Sequence, residues 1–110
     1  MVGSRPRLFV IVDEFSDLII SDREFFEDAF EKISAVSDRT GIFLILASSK
    51  AVEDVFTQKL RHGRFERVAF RVSSVEDSVL IIGESGAEEL VKPGSCLVGI
   101  RVDEDVWKAL

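Results

Sequence analysis

Residues 8–14, Leu8-Phe9-Val10-Ile11-Val12-Asp13-Glu14, join an unbroken apolar run to two adjacent carboxylates. The run is rich in β-branched residues and has no polar alternation. It predicts a strand buried on both faces, as in parallel sheets. Asp13 and Glu14 then stand at the strand's carboxyl end, the edge where open α/β sheets bind ligands. A strand-end Asp is suited to holding Mg²⁺ beside nucleotide phosphates. A Glu one position later faces the other way and is suited to orienting an attacking water as a general base. On pattern alone, solvated loop acids are the competing reading of the pair.

Downstream, Ser21-Asp22-Arg23-Glu24 has the spacing of a capping box and predicts a helix. Phe26, Ala29, Phe30, Ile33 and Val36 form its apolar face, and Gly41 marks its stop. Ile42-Phe43-Leu44-Ile45-Leu46-Ala47 reads as a second buried strand ending at Ser48-Ser49-Lys50. Val52, Val55, Phe56 and Leu60 predict a short helix broken by Gly63, and Arg67–Val72 a third strand. Ser73-x-x-Glu76 opens a helix that Gly83 closes. Gly86–Val91 reads as a helical turn or two, Pro93-Gly94 as a turn, Ser95–Arg101 as a strand and Asp103–Leu110 as a short terminal helix. Strands alternating with helices imply one α/β domain over 1–110 with a mostly parallel sheet, residues 1–7 reading as a tag or leader.

Composition narrows the function classes. Of 110 residues, 46% are hydrophobic and 31% charged, enough apolar material for one modest core. The net charge of -6 argues against strong nucleic-acid binding by this piece alone, because such affinity comes mainly from neutralised phosphates. The basic-rich stretch Lys59, Arg61, Arg64, Arg67 and Arg71 is a candidate contact for DNA phosphate or a neighbouring subunit, with a plain solvated face as the alternative. One cysteine, Cys96, excludes an internal disulfide and fits a reducing cytoplasm; its place in a predicted strand reads as core. His62 is the only histidine, so neither a His-based metal site nor a serine hydrolase built on Ser48, Ser49, Ser73 or Ser74 is expected. The apolar runs are too short to cross a bilayer, and no apolar leader opens the sequence.

The blocks also match a known series in order. Val10–Leu18 resembles the "VVIVDEFADL" stretch of FtsK/SpoIIIE-type DNA translocase ATPases, and Gly41–Ala47 resembles their "GIHLILATQRP" strand. Asp54-Val55-Phe56-Thr57 falls at "DVIT", Arg67–Ser74 resembles "RIAFQVSS", and Gly86–Leu90 resembles "GAEKLL". The likeness runs over Leu8 to Leu97. It implies a RecA-like, P-loop-type ATPase core from the Walker B strand onward. By the resemblance, Asp13 holds the Mg²⁺ of Mg-ATP, Glu14 activates water, Ser48 and Ser49 line the nucleotide, and double-stranded DNA is moved through an oligomeric ring in cell division and chromosome or plasmid transport.

The chain departs from the family at several points. A phosphate-binding loop needs G-x-x-x-x-G-K-S/T, and no Gly-Lys pair occurs here, so no ATP hydrolysis is expected of the chain alone. Ser48-Ser49-Lys50-Ala51 replaces Thr-Gln-Arg-Pro; Ser49 is shorter than the Gln, and Lys50 lacks the planar fork of Arg. Val79 and Asp38 each replace an Arg. The resemblance also places the P-loop strand between the second and third strands here. Those two strands are therefore expected to pair directly, or to receive a strand from another chain. Two other readings stand beside the DNA motor: a degenerate, non-catalytic interaction module that self-associates, and a piece of a type VII secretion ATPase.

Overall fold

The computed structural model describes residues 6–50, 55, 60, 65–103 and 106–109, with backbone alone for 100–103 and 106–109. It forms two compact units, Met1–Lys50 and Ala51–Leu110.

In the first unit, β1 (Leu8–Val12) pairs in parallel with β2 (Ile42–Leu46), Leu8 opposite Ile42 through Val12 opposite Leu46. Three helices connect them: α1 (Phe15–Ser21), α2 (Arg23–Ala35) and α3 (Ser37–Thr40). A parallel pair requires such a crossover. Phe15, Ile19 and Phe30 are buried, and the Phe15 and Phe30 rings meet edge to face at 6.4 Å. Gly41 ends the crossover at φ 76; a Cβ there would lie 3.1 Å from the Pro6 carbonyl oxygen. Only glycine takes that position without strain.

Three expectations are corrected here. The cap of α2 is Asp22, which accepts from the Phe25 amide at 3.2 Å; Ser21 closes α1, its hydroxyl donating to the Leu18 carbonyl at 2.7 Å. Between the carboxylate pair and that cap stands α1, where no element was predicted. And β1 is not buried on both faces: Leu8 and Phe9 are each 57% exposed and Ile11 69%. The helix layer packs against β2, and β1 has β2 as its single strand neighbour among the described residues.

In the second unit, β3 (Arg67–Ala69), β4 (Leu97–Asp103) and β5 (Val106–Ala109) form an antiparallel sheet in that order. The α4 helix (Val75–Ile82) lies on it, capped by Ser74 accepting from the Asp77 amide at 3.2 Å and closed by Gly83. The predicted cap, Ser73, is one residue early. Ala69, Ile82 and Ala87 form the core, with Val72, Ile81, Leu90 and Leu97 packed around it. The buried Ser78 hydroxyl donates to the Glu84 carbonyl at 2.6 Å and accepts from the Ala87 amide at 3.1 Å, anchoring a 3-10 turn at Ala87–Glu89.

The terminal segment is a strand, not the predicted helix: Val106–Ala109 turns back on β4 and gains ladder bonds that an isolated eight-residue helix lacks. Cys96 is exposed just before β4, so it is not a core residue. The second and third strands do not pair; β2 and β3 belong to different sheets. The predicted Val52–Leu60 helix falls outside the described residues except for Val55 and Leu60, both buried. Among the described residues no helix is long and apolar enough to cross a membrane.

Candidate functional site

The parallel ladder continues past the end of β1. The Ala47 amide donates to the Val12 carbonyl at 3.0 Å, and the Phe15 amide donates to the Ala47 carbonyl at 3.0 Å. These bonds set Asp13 and Glu14 directly beside Ser48 and Ser49, at the carboxyl rim of both strands. The chain must then reverse into α1, and Glu14 carries that reversal at φ 51, ψ 54, the one non-glycine residue with positive φ among the described residues. Left-handed backbone at a residue with a Cβ is strained, and such strain concentrates at functional sites.

The Glu14 carboxylate is held by three serines. Oε1 accepts from the Ser49 amide at 2.9 Å, Oε2 accepts from the Ser16 hydroxyl at 2.9 Å, and the Ser48 hydroxyl lies 3.4 Å from Oε2. Contacts from the Ser49 side chain and amide, then Ser16, hold its pKa down to about 2 from the ordinary 4.5; partial desolvation opposes them and Ser48 adds a little. Donors that bond to the charged form favour it, so Glu14 is an anion throughout the physiological range.

Asp13 differs from its neighbour. Its carboxylate is exposed and makes no hydrogen bond or ion pair with the described residues. Mg²⁺ takes one or two carboxylates and fills the rest of its octahedron with water and phosphate oxygens. A free hard-oxygen donor at a strand end fits that demand. Among the described residues no group of three or more His, Cys, Asp or Glu side chains forms a fuller metal cage. Lys50 reaches across to Asp17, Nζ to Oδ1 at 3.6 Å, both side chains exposed, a pair of small energetic weight.

The structure thus brings together Asp13, Glu14, Ser48 and Ser49. Ser16 joins them unanticipated. Its signal in sequence was faint: a hydroxyl two residues after Glu14, within reach only because the chain reverses there. Of the basic stretch, Arg71 is exposed, whereas half-buried Arg67 donates from Nη1 to the Ile81 carbonyl at 3.3 Å, near the carboxyl end of α4, where a cation is favoured. Lys59, Arg61 and Arg64 lie outside the described residues.

No protein-family model matches the chain. Curated relatives do. DNA translocase FtsK of Borreliella burgdorferi is 39% identical over 92 residues, covering 84% of this chain and 12% of that protein. DNA translocase FtsK of Treponema pallidum is 37% identical over the same length and share. The chain therefore spans about an eighth of the relatives it matches, 12% of each. Among solved structures, the cytoplasmic domain of the Thermomonospora curvata type VII secretion ATPase EccC superposes with a TM-score of 0.76 at 28% identity, covering 90% of this chain and 11% of that one. The pCW3 conjugation coupling protein TcpA, solved with ATPγS, superposes at 0.78 with 20% identity over 90% of this chain and 31% of that one, a likeness of fold. With its ordered blocks, RecA-like α/β fold and these relatives taken together, the chain belongs to the FtsK/SpoIIIE-type family of DNA translocase ATPases.

Proposed function

We propose that this chain supplies the magnesium- and water-facing carboxylates, the Walker B element, of an ATP-driven DNA translocase motor on the cytoplasmic side of the membrane. The supporting observation is the contrast within one dipeptide: Asp13 exposed and unengaged, Glu14 ionised and fixed by donors from two elements.

Asp13 would hold Mg²⁺ through its carboxylate. When bound, Mg²⁺ neutralises charge on the phosphates of ATP. Glu14 presents a carboxylate of about four acceptor sites, and the two close donors, the Ser16 hydroxyl and the Ser49 amide at 2.9 Å each, leave acceptor capacity on both oxygens. That free capacity would accept a hydrogen bond from a water and so orient the water's oxygen toward the phosphate. A group with a pKa near 2 is a weak base, so in this arrangement Glu14 acts first by orienting water. Ser48 and Ser49, at the tip of β2, would line the phosphates. Double-stranded DNA, gripped by its phosphates, is the cargo, with Lys59, Arg61, Arg64, Arg67 and Arg71 the proposed face toward DNA or the next subunit of the ring.

In the complete motor, Glu14→Gln is expected to lower kcat for DNA-stimulated ATP hydrolysis by roughly a hundredfold or more while Mg-ATP still binds. Turnover within twofold of wild type contradicts the reading. A non-catalytic, self-associating module is the second reading, favoured by the exposed apolar side chains of β1. It requires a dimer in sedimentation that Ile11→Lys dissociates; a monomer at all concentrations removes it.

A further inference from the structure

We infer that Ser16 is a positioning residue: its buried hydroxyl fixes one oxygen of Glu14 so that the other meets the Ser49 amide, setting the plane of the carboxylate at the rim. The inference rests on the reading of Glu14 given above.

Ser16 is fully buried, a place where a hydroxyl is costly unless bonded. Serines in helices ordinarily donate back to a carbonyl three or four residues earlier. Ser21, Ser34 and Ser37 do so here, to Leu18, Glu31 and Ile33 at 2.7, 3.0 and 3.2 Å. Ser16 instead bonds a side chain, Glu14 Oε2, at 2.9 Å.

The other contact to Oε2 cannot replace it. Ser48 lies at 3.4 Å, beyond the usual range for a hydroxyl donor, and its single proton is shared with the Lys50 carbonyl, also at 3.4 Å. A carboxylate held at a single oxygen can rotate about that contact. Held at both, by a helix hydroxyl on one side and the β2-tip amide on the other, it keeps one plane. Ser16 therefore decides which way the free acceptor capacity faces.

The test uses the full chain, isotopically labelled, and reads solvent exchange of the Ser49 amide by NMR. Ser16→Ala is expected to speed that exchange about threefold to tenfold, the effect of losing one ordinary hydrogen bond. Ser16→Thr, which restores a hydroxyl, is expected to bring it back. Ser78→Ala, which removes an equally buried hydroxyl with no contact to Glu14, should leave it unchanged. Unchanged exchange in Ser16→Ala overturns the inference, as does equal acceleration by Ser78→Ala.

A second measurement leaves the buried position untouched. In wild type the Ser16 Cβ should show resolved isotope-shifted lines in mixed H₂O and D₂O, the mark of a slowly exchanging hydroxyl, and Glu14→Ala should collapse them. A single line in wild type overturns the inference. In the complete motor, Ser16→Ala should lower kcat several-fold with KM unchanged. If Glu14→Gln abolishes turnover while Ser16→Ala leaves kcat intact, the positioning role fails and the reading of Glu14 stands. If Glu14→Gln itself is harmless, the motor reading fails and takes the catalytic meaning of Ser16 with it.

Discussion

Glu14 combines a left-handed backbone with a carboxylate that reaches donors on α1 and on the tip of β2. Its pKa is lower in the fold than in the unfolded chain, so its bonds stabilise the fold fully above about 4.5 and lose that contribution as pH falls through about 2. Urea midpoints of wild type and Glu14→Gln should therefore differ most at neutral pH and converge as pH approaches 2. A gap that is constant with pH would show that the serines do not favour the charged form. The carboxylate pair and the two β2-tip serines were legible in the sequence, because an apolar run followed by acids and a second run followed by small polar residues mark two strand ends at one rim. The Ser16 contact was not, because helix serines commonly satisfy themselves on the backbone and nothing local announces the exception.

At the scale of elements, β1 and β2 were readable from apolar runs, and Gly41 and Gly83 from the left-handed stops they provide. Cap positions slipped by one residue in both helices. In Ser21-Asp22 and Ser73-Ser74 two neighbours are each able to cap, and the amide three residues on is met by the second. Asp22→Ala should thus cost about 1 kcal/mol in urea unfolding and Ser21→Ala close to nothing; the reverse order would restore the predicted capping box. Gly41→Ala should cost about 1–2 kcal/mol, since it places a Cβ at φ 76 against the Pro6 carbonyl; thermal unfolding within half a degree of wild type would contradict it. Val106–Ala109 misled because its strand state comes from antiparallel pairing with the neighbouring β4, which helix periodicity cannot register.

On the scale of the whole molecule, the RecA-like α/β character and the family were legible from the order of the blocks, and the chain spans 12% of each relative. A strand read as doubly buried lies open on Leu8, Phe9 and Ile11, since burial depends on neighbours that its own residues do not encode. With no Gly-Lys pair and a net charge of -6, the chain by itself should release no phosphate from ATP above background. Turnover by the chain alone that Glu14→Gln abolishes would contradict this.

The most direct test of the carboxylate rim is to add paramagnetic Mn²⁺ as a stand-in for Mg²⁺ and read the relaxation of each backbone amide. Asp13 as the metal-holding group predicts the strongest broadening at residues 13, 14, 48 and 49, abolished by Asp13→Asn. Broadening centred elsewhere on the acidic surface, or unaltered by Asp13→Asn, would contradict the account.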